Sequence, residues 1–477
     1  MVERLDVDIC VIGAGSGGLS VAAGASQLGQ KVVLIERGKM GGDCLNYGCV
    51  PSKSLIAAAR AAHAVRGAAR FGIAGGEPAV DYGRVRDHVR GVIGAIAPND
   101  SEERFTGLGV RVIPAAARFT GRDEVEAGDV RVRARRFVIA TGSSASVPPI
   151  PGLGAGGVPY LTNETIFDLD QAPGHLLIIG GGPIDCELAQ AQRRLGCRVT
   201  LLEAATLLPK DDPELVDFVR RRLRAEGVEI REGVTVKRVE GTVGDLAAVL
   251  EAAGNEERIA GTHLLIATGR RPNLEGLDLE AAGVHASAKG IEVDARLRTS
   301  NRKIYAIGDA IGGYQFTHMA GYHAGIVIRN ALFRLPGRVD HAAVPWVTYT
   351  DPELANVGLI EAEARRIHGD AVRLARWSFH DNDRAQADRE TDGLIKITAD
   401  RRGRILGAGI VGPHAGELLL TWSLAIAKKA TLRDIAGLIA PYPTLSEVGK
   451  RAAGSFYVRQ LFSPRTRRLV RFLARFG

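Results

Sequence analysis

A chain of 477 residues exceeds what a single compact core organises, so its length implies about three domains. An apolar fraction of 45% and a charged fraction of 24% are those of an ordinary globular protein, and an aromatic fraction of 5% excludes a surface built to stack bases. The formal net charge is +8, but six arginines (Arg459, Arg465, Arg467, Arg468, Arg471 and Arg475) and no acidic residue fall within 456–477, so the body is close to neutral and no nucleic-acid partner is expected.

Five cysteines in this length do not make a disulfide framework. The first strand is expected to begin by Asp6–Val7, leaving no room for a signal peptide, and no apolar run approaches the roughly 20 residues of a membrane span. The expectation is a cytoplasmic protein. In that reducing compartment a closely spaced cysteine pair is redox-active rather than structural.

Along the chain, an apolar strand, a glycine turn, an Ala- and Leu-rich helix and a second strand ending in Glu occur twice, at 6–37 and 175–204. Each is a βαβ segment of about 30 residues, the minimal dinucleotide cradle. In the first, Gly13, Gly15 and Gly18 form G-x-G-x-x-G: a tight turn, a close backbone approach for a pyrophosphate, and close helix–strand packing. The phosphates would sit at the helix N-terminus, and Glu36 would accept hydrogen bonds from a ribose.

Next comes GGDCLNYGCVPSK at 41–53, with four residues between Cys44 and Cys49. On a regular helix that spacing puts the sulfurs on different faces, so a bridge requires a distorted turn at a helix start. There the positive end of the helix dipole favours a thiolate. Cys10, Cys186 and Cys197 lie in apolar contexts and read as core.

The second glycine turn keeps Gly180 and Gly182 but carries Asp185 at the third position. That carboxylate is expected to crowd the helix–strand contact and to weaken or shift a bound nucleotide. Glu203 suits the free 2′-hydroxyl of NAD(H) and disfavours the phosphate of NADP(H). Two related strand–turn signatures, FVIATGSS at 137–144 and LLIATGRRPN at 264–273, follow the two cradles, and IYAIGDA stands at 304–310. From about 338 the pattern is mixed strand and helix. In the tail, Ser463 and Pro464 read as N-cap and first helical residue, and Leu469, Phe472, Leu473 and Phe476 share one face. The favoured expectation is a helix packed on its own dimer with a solvated basic face; contact with a membrane surface or a partner is the alternative.

Taken together, GAGSGG, GGDCLNYGCVPSK, ATGS, GGGPIDCELA, ATGRRPN, IYAIGDA and PYPTLSE resemble the flavoprotein disulfide reductases related to dihydrolipoamide dehydrogenase, glutathione reductase and mercuric reductase, over nearly the whole chain. The resemblance implies an α/β fold with two Rossmann-like dinucleotide-binding domains, for FAD and NAD, plus a C-terminal α+β dimerisation domain. The expected boundaries are FAD-binding at 1–152 and 273–337, NAD-binding at 153–272, dimerisation at 338–455 and the basic tail at 456–477. It implies FAD held by Gly13, Gly15, Gly18, Glu36, Gly42, Thr141, Gly142 and Asp309, and NAD(H) held by Gly180, Gly182, Glu203 and Gly269. Electrons would pass between NADH, FAD and the Cys44–Cys49 disulfide, with Cys49 next to the flavin and Cys44 facing the acceptor. Lys53 would pair with Glu187 beside the ring. No resident metal is expected. The partners implied are a second copy sharing the active sites and a small or protein-bound disulfide or dithiol.

The pattern departs from this family where its disulfide-reducing members carry a His before Pro-Thr. Here the stretch reads Pro441, Tyr442, Pro443, Thr444, Leu445, Ser446, Glu447. A phenol with a pKa near 10 does not exchange protons at neutral pH as imidazole does, so efficient dihydrolipoamide oxidation is in doubt while Glu447 keeps its place. Tyr at this position resembles the mercuric reductases, but their C-terminal cysteine pair has no counterpart, because Cys197 is the last cysteine. The leading reading is an NADH-dependent disulfide reductase similar to dihydrolipoamide dehydrogenase. A metal-ion reductase of the mercuric type is the second, and a catalytically reduced flavoprotein with a docking tail the third.

Overall fold

Ile9–Ile12 are four consecutive buried residues ending the strand Glu3–Ile12, the pattern of a central strand covered on both faces. The computed structural model describes residues 2–154, 156–252 and 254–476. The chain divides into two compact units: Met1–Gly180 with Ala191–Leu202 and Val234–Val339, and Gly181–Gln190 with Glu203–Gly233 and Asp340–Gly477.

In the first unit, Val110–Pro114, Val32–Glu36, Glu3–Ile12 and Val130–Ile139 run parallel in that order, and Ile304–Ala306 adds in parallel to Phe137–Ile139. Helix Ser16–Gln27 crosses between the first two strands of the chain. Its buried residues are Gly17, Gly18, Leu19, Val21, Ala22 and Ala25, so small side chains let it approach the sheet closely. Gly18 is the tightest point: a Cβ there would run into the Gly13 carbonyl oxygen. A second parallel set, Arg198–Glu203, His175–Ile179 and His263–Ile266, carries the other glycine turn. Cys10, Cys186 and Cys197 are all fully buried, as expected of core residues, and burial raises the pKa of each.

In the second unit, an antiparallel five-stranded sheet follows the order 345–348, 353–358, 405–412, 394–399, 373–378. Helices Ala415–Ala427 and Glu447–Leu461 close its apolar core around Trp422, Phe379 and Ile397. Lys396 is buried in this unit and meets three carboxylates: Asp212 at 2.8 Å, Glu214 at 2.9 Å and Glu361 at 2.7 Å. Close by in sequence, Asp211 Oδ1 accepts from Trp346 Nε1 and Asn356 Nδ2, each at 2.7 Å. Among the described residues no helix is long and apolar enough to cross a membrane.

Candidate redox and nucleotide sites

Gly48 breaks what would otherwise be one helix. Cys44 lies in the short helix Gly42–Asn46, and Cys49 is the first residue of the 19-residue helix Cys49–Gly67. The break lets two thiols that regular geometry would hold apart act on one another. Cys49 thus stands at the positive end of a long helix dipole, where a thiolate is favoured. The hydrogen bond to Cys49 holds the Cys44 thiol well above its ordinary range, with burial and the Cys49 charge adding to the effect; Thr317 acts in the opposite direction. The shift favours keeping the proton on Cys44. Lys53, one helical turn beyond Cys49, lies on the same face.

Cys49 Sγ lies 3.5 Å from Thr317 Oγ1, at the start of helix Thr317–Ala331. Asp43, next to Cys44, is held by Arg270 at 3.1 Å and by Asn163 Nδ2 at 3.2 Å. Arg270 also donates to the Ser143 hydroxyl and carbonyl, each at 2.8 Å, and Ser143 donates to Asp309 Oδ2 at 2.6 Å. Burial raises the Asp309 pKa, partly offset by Ser143 and Arg270. The two ATG signatures meet here, since Ser143–Ala145 pairs antiparallel with Arg270–Pro272 and Asn273 bonds to both Gly142 and Thr141.

The glycine turn of the first unit has the shape a pyrophosphate requires. Gly13 adopts a φ of +104° and a Cβ would collide with the Ala140 carbonyl oxygen, whereas nothing lies within 4 Å of a Cβ built on Gly15. Gly42 packs on the Gly15 Cα, and Gly41 N–H donates to the Ala14 carbonyl. Glu36 ends its strand and accepts from Ala14 N at 2.6 Å and Gly38 N at 2.7 Å. Thr141 Oγ1 is buried with no hydrogen-bond partner among the described residues. An open approach over Gly15 and an unpartnered hydroxyl on Thr141 fit FAD, whose phosphates and ribityl oxygens would supply the missing partners.

The second glycine turn differs. Gly180 has a φ of +133° and Gly269 one of +130°. Asp185 is 1% exposed and turns back so that Oδ2 accepts from Gly182 N at 2.8 Å, while Oδ1 has no partner among the described residues. Rather than clashing with the strand, it occupies an amide at the helix N-terminus of the kind phosphates use. Burial drives its pKa well up, the Gly182 amide lowers it, and nearby Glu203 raises it. Glu203 lies across Gly181, with Oε1 accepting from Ala205 N at 2.7 Å. Glu187 is buried, and its Oε1 accepts from Tyr349 N at 2.9 Å.

Tyr442 is 70% exposed, and its hydroxyl donates to Asp383 Oδ2 at 2.9 Å. Asp383 raises the phenol pKa through that hydrogen bond and its charge, and Glu447, first residue of its helix, adds to the rise. Sequence reasoning missed Arg270, Asp43, Thr317 and Asp383. Arg270 and Asp43 were within reach, since both lie inside motifs already singled out. Thr317 and Asp383 are brought to Cys49 and Tyr442 by the fold and carry no spacing signal.

Two glycine-turn cradles and a helix-start dithiol define a flavin- and nicotinamide-dependent oxidoreductase. Residues 7–324 match the family described as pyridine nucleotide-disulphide oxidoreductase, and residues 344–453 match its dimerisation domain. The chain is 36% identical to a mercuric reductase of Streptomyces lividans, over 94% of this chain and 96% of that protein. It is 37% identical to a dihydrolipoyl dehydrogenase of Thermus scotoductus, over 94% and 97%. Among solved structures, the Cu(II) complex of the HOCl-induced flavoprotein disulfide reductase RclA from Escherichia coli superposes with a TM-score of 0.83 at 27% identity, covering 96% of this chain and all of that one. The chain belongs to the pyridine nucleotide-disulphide oxidoreductases. It is accordingly an FAD-dependent enzyme using a nicotinamide cofactor, with the α/β fold expected from its motifs.

Proposed function

We propose that this enzyme delivers NADH electrons to a thiophilic metal ion, such as Cu(II) or Hg(II), at the Cys44–Cys49 pair, rather than oxidising dihydrolipoamide. The observation that carries this reading is Tyr442, whose phenol is held above its ordinary pKa by Asp383. Thiol–disulfide interchange with an organic substrate needs a group that takes and returns a proton near neutral pH. A phenol of raised pKa does not supply one. A metal ion needs no such group, because thiolates bind it directly.

FAD, when bound, would supply the two-electron chemistry that links NADH oxidation to reduction of the cysteine pair. The residues of the chain do the rest. The Cys49 helix start stabilises the thiolate, Cys44 holds the shared proton, and the Asp43–Arg270–Ser143–Asp309 chain fixes the segment that carries Cys44. In the metal step the two sulfurs form a disulfide, two electrons pass to two Cu(II) or to one Hg(II), and the remaining thiol proton is released. The sum is NADH plus two Cu(II) giving NAD⁺, H⁺ and two Cu(I). In this reading two copies of the chain share each site, with the segment of Tyr442 and Glu447 contributed across the pair. Among the relatives, the mercuric reductase and the Cu(II) complex support this reading, while the dihydrolipoyl dehydrogenase carries the other activity.

Steady-state NADH oxidation with Cu(II), Hg(II), lipoamide and small disulfides tests the proposal. The metals should support turnover and lipoamide should not. In Tyr442→His, lipoamide turnover should rise by about ten- to a hundredfold while Cu(II) turnover is unchanged. Rapid lipoamide turnover by the unaltered enzyme, with none on metals, would overturn it.

A further inference from the structure

We propose that the C-terminal helix Pro464–Leu473 is an interfacial anchor that lies on an anionic lipid surface. Ser463 caps it, accepting from Thr466 N at 3.2 Å, and Pro464 occupies the first turn, so the helix starts on its own signals. None of its residues is buried. Leu469, Val470, Phe472, Leu473 and Phe476 are each more than half exposed, and Phe472 and Phe476 meet edge-on at 5.2 Å. At the helical repeat of about 100° per residue Leu469, Val470, Phe472 and Leu473 cover one arc and Arg467, Arg468 and Arg471 the opposite one; Arg465 in the first turn lies on the apolar side, and Arg475 and Phe476 follow the helix.

Charge decides the occupant. No arginine of this helix forms an ion pair with a carboxylate among the described residues. A segment with an apolar arc, whose charged residues are all cationic, matches a layer of acyl chains beneath anionic headgroups, with the long arginine stems reaching back to the phosphates. A second copy brings the same all-cationic segment, so pairing tail against tail is repulsive. The dimerisation domain of the family also ends at residue 453, before the helix begins.

Vesicle flotation of the full-length holoenzyme tests this, with phosphatidylglycerol-rich vesicles against pure phosphatidylcholine. The protein should float with the anionic vesicles only and be released by high salt. Leu469→Asp combined with Phe472→Asp, and separately a chain ending at Phe462, should bind about tenfold or more weakly. Both should keep the solution rate of NADH oxidation. Absence of flotation, equal binding by the shortened chain, or conversion of the shortened chain to a monomer would overturn the anchor, the last by showing that the helix packs on a second copy. Because lipid binding is read without turnover, the metal-reduction proposal stands or falls separately.

Discussion

Thr317 Oγ1 stands 3.5 Å from Cys49 Sγ, although 268 residues separate the two in sequence. The same hydroxyl lowers the Cys44 pKa, against the combined effect of Cys49 and burial. One side chain therefore contacts one sulfur and lowers the pKa of the other. Thr317→Val keeps the shape and removes the donor. Alkylation of the reduced pair by iodoacetamide at neutral pH should slow by about three- to tenfold, and the pH midpoint of labelling should move up.

Asp185 Oδ2 holds the Gly182 amide of the second glycine turn, a donor that a cofactor phosphate there would need. Asp185→Gly restores the third glycine and frees the Gly182 N–H. The KM for NADH should fall by about three- to tenfold with kcat little changed, as read by steady-state kinetics at saturating acceptor. An unchanged or higher KM would show that the carboxyl does not oppose the nucleotide.

Among the described residues, Lys396 is the one cation bonded to all of Asp212, Glu214 and Glu361, each within 2.9 Å. Lys396→Met would leave the buried Asp212 without its ammonium partner. The variant should lose about 3 kcal/mol of stability, visible as an earlier urea-unfolding midpoint of the holoenzyme.

Burial raises the Asp211 pKa from 3.8 to about 6, with the Trp346 hydrogen bond opposing the rise. The folded state thus holds this proton more tightly than the unfolded state. Stability from this group is fully present below the unfolded value and is lost as pH climbs through about 6. Asp211→Asn keeps an oxygen acceptor for Trp346 and Asn356 and removes the titration. Its stability relative to the unaltered enzyme should improve between about pH 4 and pH 7, by something on the order of 2–3 kcal/mol. Thermal unfolding across that range reads the slope.

The glycine cradles, the cysteine pair and the tail helix were legible in the sequence because each is local. A turn that only glycine permits, a helix break between two sulfurs and a Ser-Pro cap all declare themselves within a few residues. The helix break at Gly48 is the distorted turn that the Cys44–Cys49 spacing called for. What was not legible depends on the fold. The posture of Asp185 could not be read from its position alone, since crowding and capping are both open to a short carboxylate there. Asp383 reaches Tyr442 from 59 residues away, and Thr317 reaches Cys49 from a different helix. The tail's helical character followed from its caps, but the exposure of its apolar arc did not, because periodicity marks a face without saying what covers it.

The most direct test of electron flow through Cys44 and Cys49 is thiol mapping by mass spectrometry, on the oxidised holoenzyme and after anaerobic NADH addition. Blocking reagent should leave both sulfurs unlabelled before NADH and label both afterwards, with Cys10, Cys186 and Cys197 unchanged in the native protein. Identical labelling of Cys44 and Cys49 before and after NADH, in an enzyme that still turns over its acceptor, would contradict the account.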